Sequence, residues 1–312
     1  MRTNDDSKIP NSKHLIVIVG PTAIGKTSLS IALAKHYSCA VLSADSRQFY
    51  KEMEIGTAKP TAIEMDGVPH HFINNLSIHD RYTAGMFEID AIKLLDTLYR
   101  ENDVAILVGG SGLFVDAICN GFDDVPGSQK IREELIKELD TIGIEPLQQE
   151  LKEKDPEYYN TSDIQNSRRV LRALEVLRVS GNTFSSYRNK TAKNRPFNIH
   201  LIGLNTDRSV LYDRINLRVD LMVKAGLLEE VKRLLPHRYL SPLNTVGYKE
   251  LYDNLGDQHS IDTAISKIKQ NSRKFAKRQV TWFRRNEKTK WFDINSNQEI
   301  LEYLQKKLKQ SK

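Results

Sequence analysis

Cysteine is scarce in this chain. Its 312 residues contain two, Cys39 and Cys119. Neither belongs to a C-x-x-C or to a His/Cys grouping with zinc-site spacing. A disulfide scaffold and a structural zinc module are thereby excluded, and a reducing, cytoplasmic setting is expected. Long apolar runs are missing too. None approaches the roughly 20 residues that a membrane helix needs, so no membrane partner is expected. Residues 1–13 are polar and mixed in charge, which predicts a loose tail and not a signal or transit peptide. The sequence holds no internal repeat and no low-complexity tract. Acidic residues run short of basic ones, 40 against 46, giving a net charge of +6. Such an excess favours a polyanionic partner without requiring one.

What is present is ordinary globular composition, long enough for one large domain or two smaller ones. HLIVIV, residues 14–19, is a short apolar run rich in β-branched residues, which suits a strand buried on both faces. AVLSADS (40–46), VAILVGG (104–110) and IHLIGL (199–204) read as further strands, with helical spacing in KTSLSIALAKHY and in residues 86–101 between them. Strands alternating with helices predict an α/β fold with a mostly parallel sheet. From about 122 to 198 the pattern changes to polar helices with no strand between them, which predicts an all-helical insertion. The expected organisation is a tail at 1–13, an α/β core of 14–121 and 199–312 with a helical C-terminal part, and an insertion at 122–198.

Residues 20–27 read Gly20-Pro21-Thr22-Ala23-Ile24-Gly25-Lys26-Thr27, the pattern G-x-x-x-x-G-K-[ST] between a predicted strand and a predicted helix. Tight glycine turns expose N–H groups to an anion at a helix N-terminus. Lys26 supplies a point charge to the distal phosphates, and Thr27 can hold Mg²⁺. The core is thus expected to be P-loop NTPase-like. The motif establishes a phosphorylated ligand and not a reaction. An NTP-using enzyme usually ends a second apolar strand in an acidic residue, whereas VAILV ends in Gly109-Gly110-Ser111-Gly112. Asp45, at the end of AVLSAD, lies where α/β proteins place ligands. It can serve as a general base or simply cap a turn.

Several blocks occur in one order: G-P-T-A-x-G-K-T, then D-S-R-Q-F-Y-K-E-M-E-I-G-T-A-K-P-T, V-P-H-H, Y-T-A-x-x-F, G-G-S-G-L-F and K-R-Q-V-T-W-F-R. Together they resemble the bacterial tRNA dimethylallyltransferases, also called tRNA isopentenyltransferases, over about residues 15–292. The resemblance implies transfer of a dimethylallyl group from dimethylallyl diphosphate to N6 of adenosine 37, beside the anticodon of tRNA, with Mg²⁺ as cofactor. It implies Asp45 as general base, with Thr22, Lys26 and Thr27 on the diphosphate side. It implies tRNA contacts at Asp45, Ser46, Arg47 and Gln48, at Ser111 (where the family commonly has Thr), at Arg132, at Lys277, Arg278 and Gln279, and more loosely at Gln165, Asn166, Ser167, Arg168 and Arg169. Arg214 and Arg218 lie one turn apart and share a helix face. A solvated face with Asp213 and Asp220 is the plain reading. The resemblance favours a diphosphate contact, Arg218 first and Arg214 second.

Lys267–Lys290 carries ten Lys/Arg and one acidic residue, Glu287, which suits phosphate contacts, while arginines and aromatics add stacking on unpaired bases. The spacing of Phe275, Trp282 and Phe283 favours a buried helix face over base stacking. His70 and His71 have no further ligand nearby, and a structural or channel role is expected in place of a metal. Asp155 and Asp163 read as surface or capping residues. The expected partners are tRNA, through its anticodon arm, and dimethylallyl diphosphate, bound by a monomer. The rival readings are a P-loop kinase of a small metabolite and an RNA chaperone with a vestigial loop.

Overall fold

The computed structural model describes residues 12–123, 125–188, 193–255 and 258–310. The described residues form two compact units, one from the stretches 12–119 and 195–310 and the other, between them in sequence, from within Asn120–Asn194.

The first unit is built on six strands: β1 His14–Val19, β2 Val41–Ser43, β3 His70–His71, β4 Val104–Val108, β5 Asn198–Asn205 and β6 Lys290–Asp293. They lie in the order β3-β2-β4-β1-β5-β6, and every pairing is parallel. β1 sits in the middle and is buried along its whole length. Strand alternation splits its side chains between the two faces: Leu15, Val17 and Val19 join one core cluster, Ile16 and Ile18 the other. The sequence predicted four strands. β3 and β6 are the two it did not, and β6 lies in a stretch expected to be helical.

The helices of this unit are α1 Lys26–Tyr37, α2 Ala62–Met65, α3 Ala84–Leu98 and α4 Gly112–Asn120. After the second unit come α9 Arg208–Lys224, α10 Leu227–Leu234, α11 Lys249–Tyr252, α12 Gln258–Phe283 and α13 Asn297–Gln310. α3 opens on Thr83, whose side chain accepts the Met86 N–H, a Thr N-cap. Arg195, where the chain re-enters this unit, donates to the Ile118 and Ala117 carbonyls at the end of α4 and pairs with buried Glu88.

The second unit is helical: α5 Gln129–Ile142, α6 Glu145–Lys154, α7 Pro156–Thr161 and α8 Ser167–Ser180. Its own core gathers Leu135, Leu147, Leu151, Val170 and Leu174. Its two chain ends meet through the Lys193 N–H, which donates to the Asn120 carbonyl. Asp155 is a cap, as expected, but not a surface residue. It is 1% exposed, accepts the Tyr158 N–H at the start of α7, and takes the Ser185 N–H and hydroxyl. Asp163 accepts the Gln165 N–H in an exposed turn.

Candidate active site

Because the strands run parallel, the loops leaving β1, β2 and β4 emerge at one edge of the sheet, the place where open α/β sheets hold ligands. The first is the phosphate loop. Gly20 has φ 147°, and a Cβ there would stand 2.8 Å from the Leu204 carbonyl on β5, so only glycine fits. Gly25 leads into α1 in the left-handed region, φ 106°. Lys26 folds back over the loop and donates to the Gly20 and Pro21 carbonyls at 3.0 and 2.7 Å. Thr27 is exposed on the first turn of α1.

The loop after β2 carries Asp45. Its Oδ1 accepts the Arg47 N–H at 3.0 Å, a local turn that fixes the carboxylate's orientation. Asp45 holds a turn, and it faces the same cleft as Lys26. Ser111, after β4, accepts the Ser46 N–H at 3.0 Å and donates to the Ser46 hydroxyl. Gln48 turns inward, and its amide donates to the Thr57 and Ala58 carbonyls.

α9 supplies the cationic wall. The Arg214 Nε donates to the Ala23 carbonyl at 2.8 Å. Arg218 reaches the Thr22 hydroxyl at 3.3 Å and the Ala58 carbonyl at 3.5 Å. Both arginines therefore reach the glycine-rich loop, Arg218 half-buried and Arg214 from an exposed position. They line a cleft of about 1210 Å³ together with Thr22, Lys26, Thr27 and Asp45. Burial, then Arg218, lower the Lys26 pKa to about 7, against a raising pull from Asp45. Burial also lowers Arg218, while Asp45 again favours its charge.

Gln279, on α12, links two of these loops. Its Oε1 accepts the Thr22 N–H at 2.8 Å, and its Nε2 donates to the Gly110 carbonyl at 2.9 Å. It is 6% exposed, whereas Lys277 and Arg278 beside it face outward. Gln279→Leu should leave a buried donor and acceptor unpaired, at a cost of about 1–3 kcal/mol each. Expected is a lower denaturation midpoint, measured by chemical unfolding. A wild-type midpoint would show that the two bonds add no stability.

The aromatic residues of α12 divide. Phe283 is in the core and Trp282 packs against it, donating its Nε1–H to Asp116 at 3.0 Å. Phe275 is 38% exposed and lines the cleft. His70 and His71 form the edge strand β3, paired with Val41 and Leu42. In the helical unit, Arg132 and Arg172 pair with the buried Glu175. Gln165, Asn166, Arg168 and Arg169 are exposed around the start of α8. Among the described residues no three His, Cys, Asp or Glu side chains gather as a metal site, and no helix is long and apolar enough to cross a membrane.

The family model described as IPP transferase matches residues 48–286. The chain belongs to that family. This member is 50% identical to a tRNA dimethylallyltransferase of Christiangramia forsetii, over 95% of this chain and 99% of that one. It is 46% identical to tRNA dimethylallyltransferase 1 of Bacteroides fragilis, over 96% and 99%. Among solved structures it resembles the tRNA isopentenylpyrophosphate transferase of Bacillus halodurans, with a TM-score of 0.71 and 38% identity over 96% of this chain and 97% of that one. It also resembles a eukaryotic dimethylallyltransferase acting on tRNA, with a TM-score of 0.79 and 27% identity over 91% and 74%.

Sequence reasoning missed one residue that shapes the wall of this cleft. Glu230, on α10, is 2% exposed, and its carboxylate binds the loop that follows Met53 on the cleft wall. Its position between Leu227, Val231 and Leu234, all buried, is the 3.6-residue signal that could have found it.

Proposed function

We propose that this IPP transferase moves a dimethylallyl group from dimethylallyl diphosphate to N6 of adenosine 37 in tRNA, giving N6-(dimethylallyl)adenosine and releasing diphosphate. It is then a prenyltransferase of tRNA modification, as its relatives are named. The observation that carries this reading is the shared cleft: phosphate loop, Asp45 and the two arginines of α9 face one cavity. We read the α/β unit as a P-loop NTPase-like core whose loop serves a leaving group and not ATP. In keeping with this, β4 runs into Gly109 and Gly110, with no carboxylate at its end.

Allylic C–O cleavage places positive charge on carbon and negative charge on the departing oxygens. The loop N–H groups, Lys26, Arg214 and Arg218 stabilise those oxygens, and Arg218 is tied to the loop by donating to the Thr22 hydroxyl. Adenine N6 is a poor nucleophile because its lone pair is delocalised into the ring. As N6 bonds to carbon, its proton passes to the Asp45 carboxylate. The adenine has to leave its stack to reach the cleft, which an unpaired anticodon loop makes cheap.

A diphosphate substrate generally brings a divalent ion, and Mg²⁺ is our choice. Mg²⁺ held mainly by phosphates and water needs only one or two protein oxygens. The Thr27 hydroxyl, exposed on the first turn of α1, is a hard oxygen donor of that kind. When bound, the ion would neutralise charge on the diphosphate.

On the tRNA side, Lys277, Arg278 and Arg47 are the phosphate and base contacts we favour on the α/β unit, with Asp45 at the base itself. Gln48, Ser46, Ser111 and Gln279 act from behind, holding the walls of the site. On the helical unit, read as a tRNA-contacting insertion, Gln165 to Arg169 surround a helix N-terminus that suits phosphate, and Arg132 is steadied by Glu175. The protein is taken to act as a monomer.

The test uses labelled dimethylallyl diphosphate and unmodified tRNA without ATP. Label in the tRNA supports transfer. A kinase would need ATP, and a chaperone would bind RNA without labelling it. Neutralising Lys277 and Arg278 together should weaken tRNA binding. It should also flatten the log Kd against log salt slope by roughly 0.7 per lost contact to single-stranded RNA. An unchanged slope would take both residues off the RNA.

A further inference from the structure

The buried carboxylate of Glu230 belongs to no step described above. Its Oε2 accepts the N–H groups of Glu54 and Ile55 at 2.9 and 2.8 Å. Its Oε1 accepts the Gly56 N–H at 2.9 Å and the Tyr248 hydroxyl at 2.6 Å. Three successive N–H groups turned to one point make a concave anion site of the kind that elsewhere holds phosphate. Here a side chain of the same protein fills it. The fit is tight: Tyr248 is fully buried, and a Cβ added at Gly56 would come within 2.6 Å of its ring.

The loop so held is part of the cleft wall, through Ile55, Ala58 and Lys59. Its other side faces the reacting groups. The Ala58 carbonyl accepts from Arg218 and from Gln48, and Arg218 in turn reaches Thr22 of the phosphate loop. Glu230 behind the loop and Arg218 in front of it therefore grip one short segment from opposite sides. We propose that Glu230 is a positioning residue for the diphosphate substrate: by anchoring residues 54–56 it fixes the carbonyl that orients Arg218. Lys277 and Arg278, on the outward face of α12, lie outside this chain of contacts, so their contribution to tRNA affinity does not depend on it.

This inference rests on the proposed transfer reaction, and its test separates the two. Wild type, Glu230→Ala and Tyr248→Phe are assayed for label transfer, with KM for dimethylallyl diphosphate and Kd for tRNA measured separately. If wild type transfers no label, the reading of the reaction fails, whatever the variants do. If wild type is active, Glu230→Ala should raise KM for the diphosphate by about tenfold or more, the size of losing one well-placed charged contact, with tRNA Kd within about twofold. Sodium formate, a carboxylate small enough for the vacated anion site, should lower that KM again in a saturable way and leave wild type unaffected. Tyr248→Phe keeps the carboxylate and all three N–H partners. It should shift KM in the same direction by less, and it provides the measurement if Glu230→Ala does not fold. A wild-type KM in either folded variant, or KM and tRNA Kd weakening in parallel, overturns the proposal.

Discussion

Asp45→Asn lowers the rate of prenyl transfer by roughly 100- to 10,000-fold, the range for losing a general base, while tRNA affinity stays close to wild type. Asn is the informative replacement. Its amide oxygen can still accept the Arg47 N–H that Asp45 accepts at 3.0 Å, so the turn survives and only the proton acceptor is lost. Asp45→Ala removes both. If the two variants lose the same rate and keep tRNA affinity, the turn is not what catalysis needs and the carboxylate is. Single-turnover transfer at saturating substrates, with tRNA binding measured alongside, checks this. Equal losses in rate and tRNA affinity would remove Asp45 as the base.

Lys26→Met should lower kcat/KM for the diphosphate by roughly 100-fold or more, as expected for a charge placed where the leaving group gains its own. The pH dependence is a sharper expectation. Burial and Arg218 hold the ligand-free Lys26 near pKa 7, below the ordinary lysine value. A polyanion beside it favours the ammonium, so the bound pKa is higher than the free one. Binding therefore takes up a proton above pH 7. Affinity is full below about 7 and falls as pH rises through it, by at most tenfold per unit, until the bound-state pKa is passed. A phosphate group's last ionisation lies near 6, so the ligand's own titration is almost complete before this window opens. Titration calorimetry of diphosphate binding in buffers of differing ionisation heat measures the uptake directly. Lys26→Met should abolish it. Uptake that persists in the variant would place the proton elsewhere.

The central strands were legible because burial on both faces demands continuous apolar runs: β1, β2, β4 and β5 are such runs. β3 is two residues of histidine and β6 is Lys-Trp-Phe-Asp. Their pairing comes from neighbours far away in sequence, and no local pattern announces it. The phosphate loop was readable because its chemistry is local, a glycine turn between strand and helix. The arginines of α9 were readable as a pair, but their contact with the loop spans some 190 residues of chain and needs the fold.

Two polar residues show where the reading ran out. Gln279 lies in a strongly basic stretch, and the resemblance set it with Lys277 and Arg278 as a tRNA contact. Helical spacing sets it apart from them, between Ala276 and Phe283 on the buried stripe. Glu230 looks like its neighbour Glu229, which is exposed and pairs with Lys232. One position along the helix separates a solvated charge from a buried anchor. In both cases a polar residue on an apolar stripe was the available signal, since such a residue is tolerated there only when its hydrogen bonds are met.

The central claim is that one cleft holds a departing diphosphate and receives the base that captures its carbon. The most direct measurement is a structure of the protein with a non-reactive thio-analogue of dimethylallyl diphosphate and an anticodon stem-loop. The account predicts the diphosphate on the N–H groups of residues 23–27, touched by Lys26 and Arg218, with the Asp45 carboxylate about 3 Å from adenine N6. An adenine seated beyond reach of Asp45, or a diphosphate bound away from the loop, would contradict it.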